Sequence, residues 1–101
     1  MISPVGLDRE STWNALLAGV SGIDQIKSFD AEAHETRIAG EIDGFEPTNY
    51  LDRKKARRMD RFAQFAAVAA GEALAQAELK PETVDPYRVA AIVGSGIGGI
   101  L

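Results

Sequence analysis

Cysteine is absent from this chain of 101 residues, and histidine occurs once. The first absence excludes disulfides, thiolate-bound metal and a cysteine nucleophile within these residues. The second leaves His34 among Glu32, Glu35 and Thr36, a polar stretch that reads as surface and offers no partner for a metal or catalytic pair. No metal site is legible. Long apolar runs are also lacking: none approaches the roughly 18 residues that a membrane span needs. Met1 to Gly6 has neither the basic start nor the apolar stretch of a secretory signal. No repeat or low-complexity segment occurs. The expectation is a cytoplasmic globular chain with a modest core. A composition of 46% hydrophobic and 26% charged residues suits that class.

What charge there is, is unevenly spread. The chain carries a net −4, yet residues 52–61 hold six basic side chains (Arg53, Lys54, Lys55, Arg57, Arg58, Arg61) against Asp52 and Asp60, a local +4. Five basic and thirteen acidic residues elsewhere leave the remainder at −8. A basic island on an acidic chain points to a local anionic partner and away from general nucleic-acid affinity. No aromatic is interleaved on the basic face for base stacking. Lys54, Arg57, Arg58 and Arg61 fall at i, i+3, i+4 and i+7, a helical stripe able to grip phosphates or carboxylates. A solvated helix face is the plainer alternative. Against it, only two acids interleave, and the charges crowd the N-terminal half of the expected helix. There they oppose the macrodipole at about 0.3–1 kcal/mol where exposed.

Along the chain, Ser3-Pro4-Val5-Gly6 predicts a turn, and Asp8 can cap a helix whose apolar face is Trp13, Leu16, Leu17 and Val20. Gly19 and Gly22 suit its end. Residues 23–29 read as irregular, with Ile23, Ile26 and Phe29 turned inward. Residues 36–42 predict a short strand ended by Asp43-Gly44, and residues 47–51 a helical turn. The strongest helical pattern runs over 54–79. Its first third is amphipathic, but Phe65-Ala66-Ala67-Val68-Ala69-Ala70-Gly71 has no polar face and predicts burial on every side. Pro81 and Pro86 frame a loop. Val89-Ala90-Ala91-Ile92-Val93 then predicts a strand covered on both faces. Those two elements need covering layers that one short helix and one edge strand cannot supply. The chain is therefore expected to be a truncated piece that is not independently stable.

Gly94, Gly96 and Gly99 satisfy G-x-G-x-x-G directly after the expected strand, a spacing that lets backbone amides reach a pyrophosphate. A dinucleotide-binding module is one alternative function on that ground. The acidic residue that would support it about 20 positions on falls outside these residues. The commoner meaning is a glycine turn that packs a strand end closely against other chain. Ile97, the one large side chain in 94–99, either plugs core or lines a pocket.

Taken in order, these segments resemble the opening of the β-ketoacyl-acyl-carrier-protein synthases. The segments are Ile2-Ser3-Pro4-Val5-Gly6, Ser11-Thr12-Trp13, Ala15-Leu16-Leu17-Ala18-Gly19 and Ser21-Gly22-Ile23. They continue with Phe29-Asp30, Ala39-Gly40, Asp52-Arg53-Lys54 through Arg58-Met59-Asp60, and Gly94-Ser95-Gly96-Ile97-Gly98-Gly99. The glycine motif and the arginine-rich stretch look more like the type II synthases than type I. The resemblance implies an α/β class: the N-terminal portion of a thiolase-like layered αβαβα fold, truncated at both ends. Residues 1–101 would be an incomplete part of the N-terminal domain of a homodimeric enzyme. It implies elongation of acyl chains in fatty-acid biosynthesis by decarboxylating Claisen condensation of acyl and malonyl thioesters carried on acyl carrier protein, without a cofactor. In that chemistry a cysteine takes up the acyl group, two histidines assist decarboxylation, and backbone amides hold the oxyanion. The resemblance places the cysteine and both histidines beyond Leu101, so no catalytic residue is assigned here. His34 matches neither histidine, and the chain alone is expected to be inactive. What the resemblance does carry over is peripheral. Lys54, Arg57 and Arg58 match the patch that docks the acidic carrier protein. Ile97 matches a position lining the acyl pocket, with Ile100 close by. A stand-alone basic interaction domain remains the other alternative.

Overall fold

The first residues fold back on themselves as the turn signal predicts. Ser3 N–H donates to the Gly6 carbonyl at 2.9 Å, and Gly6 N–H donates to the Ser3 carbonyl at 3.2 Å. Thr12 reaches down onto this turn, its hydroxyl donating to the Gly6 carbonyl at 3.3 Å and lying 3.1 Å from the Ser3 hydroxyl. Thr12 is only 4% exposed, so these partners replace the water it loses. A Cβ at Gly6 would collide with the Thr12 backbone nitrogen, so glycine is what lets turn and helix approach this closely. A computed structural model describes residues 1–99 of the chain, which divide into one unit of Met1–Phe45 and a second beginning at Glu46.

Helix α1 (Arg9–Leu17) starts at Asp8 with a reciprocal cap. Ser11 N–H donates to Asp8 Oδ1 at 2.7 Å, and Asp8 N–H donates to Ser11 Oγ at 3.3 Å. The chain leaves the helix through Gly19, whose φ of 70° is left-handed. The expected apolar face of α1 is present but uncovered in this chain: Trp13, Leu16, Leu17 and Val20 are all more than half exposed.

The next segment departs from expectation. Asp24–Gln25 (β1) pairs antiparallel with Ile38–Ala39 (β2), Asp24 opposite Ala39 and Gln25 opposite Ile38. The ladder extends by one bond, from Ile26 N–H to the Arg37 carbonyl. The strand expected over 36–42 thus shrinks to two residues, and part of the supposedly irregular 23–29 becomes its partner. Ile26 is half-buried as expected, whereas Ile23 and Phe29 are exposed. A different device holds this hairpin: the Glu41 carboxylate accepts the N–H groups of Lys27 (2.7 Å) and Ser28 (3.2 Å). Lys27 Nζ in turn lies 3.1 Å from both Asp24 and Asp43. Gly44, with φ 69°, makes the turn that Asp43-Gly44 announced.

The second unit opens with a 3-10 turn, Pro47–Asn49, where Glu46 accepts Thr48 N–H. The helix expected over 54–79 is in fact two: α2 (Arg53–Ala56) and α3 (Arg61–Gln76). Asp52 starts the first by accepting the N–H groups of Lys54 and Lys55. Asp60, in extended conformation, starts the second. Between them the Gln64 amide reaches back, Nε2 donating to the carbonyls of Ala56 (2.9 Å) and Met59 (3.1 Å). The Ala56 carbonyl also accepts the Met59 N–H at 3.3 Å, so the amide adds a side-chain brace to a backbone turn. α3 ends through Glu78 at φ 51°, three residues short of the expected limit. Its apolar middle, expected to be buried on every side, is half-buried at best, with no residue of α3 fully covered.

Two further 3-10 turns, Pro81–Thr83 and Pro86–Arg88, occupy the proline-framed loop. Val89 to Val93 forms no ladder, correcting the expected strand: Ile92 is 96% exposed and Val89 is extended without a partner strand. A strand needs a neighbour to take its backbone hydrogen bonds, and the described residues supply none here.

Candidate functional site

Lys54, Arg57 and Arg58 lie on the corner between α2 and α3, and all three are exposed. The single-helix stripe expected from their spacing is not what displays them. Lys54 belongs to α2, Arg57 caps its end, Arg58 sits in the link, and Arg61 is the first residue of α3. The break also changes the electrostatics. Arg57 and Arg58 follow the C-terminal end of α2, where positive charge is favourable in kind, while Lys54 and Arg61 stand at helix starts. The macrodipole penalty expected for the whole stripe is thereby confined to Lys54 and Arg61. Among the described residues neither lysine of α2 nor Arg57 or Arg58 forms an ion pair. Their charge is available to a partner.

Arg61 connects this corner to the glycine segment. Its guanidinium lies over the Phe65 ring, 5.0 Å from the centroid. Phe62 and Phe65 from the first turns of α3 then form, with Ile97, an apolar groove of about 530 Å³ whose rim carries Asp60 and Arg61. Ile97 lines this groove and is 76% exposed among the described residues. Ser95 Oγ accepts Gly98 N–H at 2.9 Å, and Gly98 takes φ 81°, so the segment turns at Gly98. A Cβ on Gly99 would collide with the Asp60 carboxylate, so the backbone closes onto the start of α3 there. Ile100, the other expected pocket residue, lies outside the described residues. So does Leu101, the residue beyond which the cysteine and both histidines are expected. A Cβ at Gly94 or Gly96 would meet open space, so neither glycine is required by close packing among the described residues.

His34 is exposed and stands edge-on to Phe29, ring centroids 5.5 Å apart. Among the described residues no group of three or more His, Cys, Asp or Glu side chains is placed to hold a metal ion. No helix there is long and apolar enough to cross a membrane. Carboxylates with displaced pKa values serve structure. Asp8 is held below its ordinary range by the Ser11 hydroxyl and N–H, and Glu41 by the side chain of Ser28 and the Lys27 N–H. Glu46 is lowered mainly by the Thr48 side chain.

Sequence reasoning missed Gln64, Phe62 and Phe65 as parts of this site. Asp52 and Asp60 were a legible signal for the helix break, since each precedes a helix start in the manner of an N-cap. The groove had no comparable signal, because it joins residues more than thirty positions apart.

The described residues thus place an exposed basic corner and an apolar groove at the start of α3. Comparison with known proteins gives the class. Residues 1–100 match the family described as β-ketoacyl synthase, N-terminal domain, and the chain belongs to that family. It is 46% identical over 99 residues to 3-oxoacyl-[acyl-carrier-protein] synthase 2 of Staphylococcus aureus, covering 98% of this chain and 25% of that protein. The synthase 2 of Vibrio cholerae is 44% identical over 100 residues, covering 99% of this chain and 24% of the relative. The chain thus spans about a quarter of the length of the curated relatives it matches. Among solved structures, the ishigamide ketosynthase/chain length factor superposes with a TM-score of 0.69 at 33% identity, over 80% of this chain and 20% of that one.

Proposed function

We propose that the chain is the N-terminal part of a 3-oxoacyl-acyl-carrier-protein synthase, which elongates acyl chains by decarboxylating Claisen condensation of acyl- and malonyl-carrier thioesters in fatty-acid synthesis. The identity to two synthase 2 proteins across nearly the whole chain carries this reading. In it, the residues form part of a layered αβαβα fold in a homodimer, and the uncovered apolar side chains of α1, α3 and 89–93 meet the remaining layers. Lys54, Arg57 and Arg58 dock the acidic carrier protein. Ile97, with Ile100, walls the acyl pocket. On this reading the nucleophile and both histidines lie outside residues 1–101, which hold no cysteine and a single, exposed histidine.

The test grafts the full chain in place of the matching segment of the Staphylococcus aureus synthase. The chimera should condense acyl-carrier with malonyl-carrier substrates. A folded, soluble chimera with no condensing activity would overturn the reading. Within an active chimera, Arg57→Glu with Arg58→Glu should raise the Michaelis constant for carrier-bound primer at least about tenfold at low salt. The effect should fade as salt shortens screening to about 8 Å or less. A carrier-free thioester should react unchanged; equal loss on both substrates would make these arginines structural.

A further inference from the structure

We propose that Gln64 is a positioning residue for carrier docking: its side-chain amide sets the α2–α3 corner and so fixes how Lys54, Arg57 and Arg58 are displayed. This rests on the docking reading above. Its motive is a single geometry. A primary amide has two N–H donors, and Gln64 spends both on the carbonyls of Ala56 and Met59, at 2.9 and 3.1 Å. The two acceptors bracket the segment that holds Arg57 and Arg58. Ala56 is 4% exposed, one of few covered side chains among the described residues, so its neighbourhood is the fixed end of the corner. At the other end Asp52 holds the N–H groups of Lys54 and Lys55. The basic residues themselves make no ion pairs among the described residues. Their placement therefore comes from the backbone turn, in which Arg58 and Met59 N–H donate to the Lys55 and Ala56 carbonyls at 3.0 and 3.3 Å, and from Gln64, which ties that turn to α3. Without it α2 has only four residues and no neighbour-independent stability. The corner would straighten or fray, and the charges would lose their common arrangement while keeping their number.

The experiment measures steady-state kinetics of the chimera with carrier-bound and carrier-free primers, beside melting temperatures. Gln64→Met removes both donors at similar volume. It should raise the Michaelis constant for the carrier-bound primer about 3- to 10-fold, less than charge reversal does, because charge is kept and only its geometry is lost. Turnover of the carrier-free thioester should hold. Gln64→Glu turns a carboxylate toward two carbonyls, and should match Gln64→Met at about pH 8. It should recover in part toward about pH 5.5, where the strained carboxyl takes a proton and one donor returns. This variant also serves should Gln64→Met fail to fold. Three outcomes overturn the proposal. If charge reversal raises the constant but neither Gln64 variant does, positioning is wrong and docking stands. If charge reversal itself is inert, the docking reading is wrong and takes this inference with it. If both primers suffer equally, with no pH recovery in Gln64→Glu, the amide is merely structural.

Discussion

The two units of this chain are held together by different means. In Met1–Phe45 polar groups are tied: Thr12 to the Ser3–Gly6 turn, Ser11 to Asp8, Glu41 to two backbone amides, Lys27 to two aspartates. In the unit beginning at Glu46 the backbone is braced but much of the side-chain chemistry is left open. Lys54, Arg57 and Arg58 lack ion pairs among the described residues, Ile97 is 76% exposed, and Ile92 is 96% exposed. Tied groups spend their interaction energy inside the fold, whereas open ones keep it for something else. Under the proposed docking of a carrier protein, the first unit serves as scaffold and the second as recognition surface. Changes in the second should move substrate parameters, and changes in the first should move stability.

The largest effect is expected at Ile97. In the active chimera, Ile97→Phe should fill the groove and disfavour long acyl primers through overpacking of about 1–3 kcal/mol, roughly 5- to 150-fold in relative rate. Short primers should still fit, and the melting temperature should hold. A competition among short, medium and long primers reads this directly. An unchanged chain-length profile with a lowered melting temperature would place Ile97 in the core of the whole protein and blur the contrast between the units.

A smaller and opposite pattern is expected at Thr12. Thr12→Val keeps the shape but removes the hydroxyl from the Ser3 hydroxyl and the Gly6 carbonyl, a loss of about 0.5–1.5 kcal/mol because the Gly6 carbonyl keeps the Ser3 N–H and the Ser3 hydroxyl keeps the Val5 N–H. Thermal denaturation should show a lower melting temperature, with the Michaelis constants for both primers unchanged below the transition. A selective loss on carrier-bound primer would assign the first unit a recognition role and break the comparison.

The smallest effect should appear in acid. Asp8 and Glu41 have folded pKa values below the ordinary 3.8 and 4.5. Groups depressed in this way stabilise the fold fully above the ordinary value and lose that contribution as pH falls through the folded one. The amides they hold, Ser11 N–H for Asp8 and the Lys27 and Ser28 N–H groups for Glu41, should therefore titrate and exchange faster below about pH 4. The Gln64 side-chain amide, a brace with no titratable group, should keep its signals over the same window. Loss of the Gln64 signals at the same midpoint would mean the two units do not respond separately.

Much of this was written locally, and for one reason. The Asp8 cap, the left-handed exit at Gly19, the turns at Ser3–Gly6, Asp43-Gly44 and Pro47 all depend on groups within about four residues, where residue type dictates backbone conformation. The basic island and the family resemblance were legible in the same way, as residue types in fixed order. The helix break at 57–60 stood half in view, because Asp52 and Asp60 signal it but the continuous apolar pattern of 62–70 masks it. Tertiary structure decided the rest. Asp24–Gln25 became a strand because Ile38–Ala39 lay beside it, and the hairpin took its form because Glu41 reached Lys27 and Ser28. Val89 to Val93, by contrast, has every side-chain preference of a buried strand and forms none, because preference cannot supply the neighbouring backbone that a ladder requires.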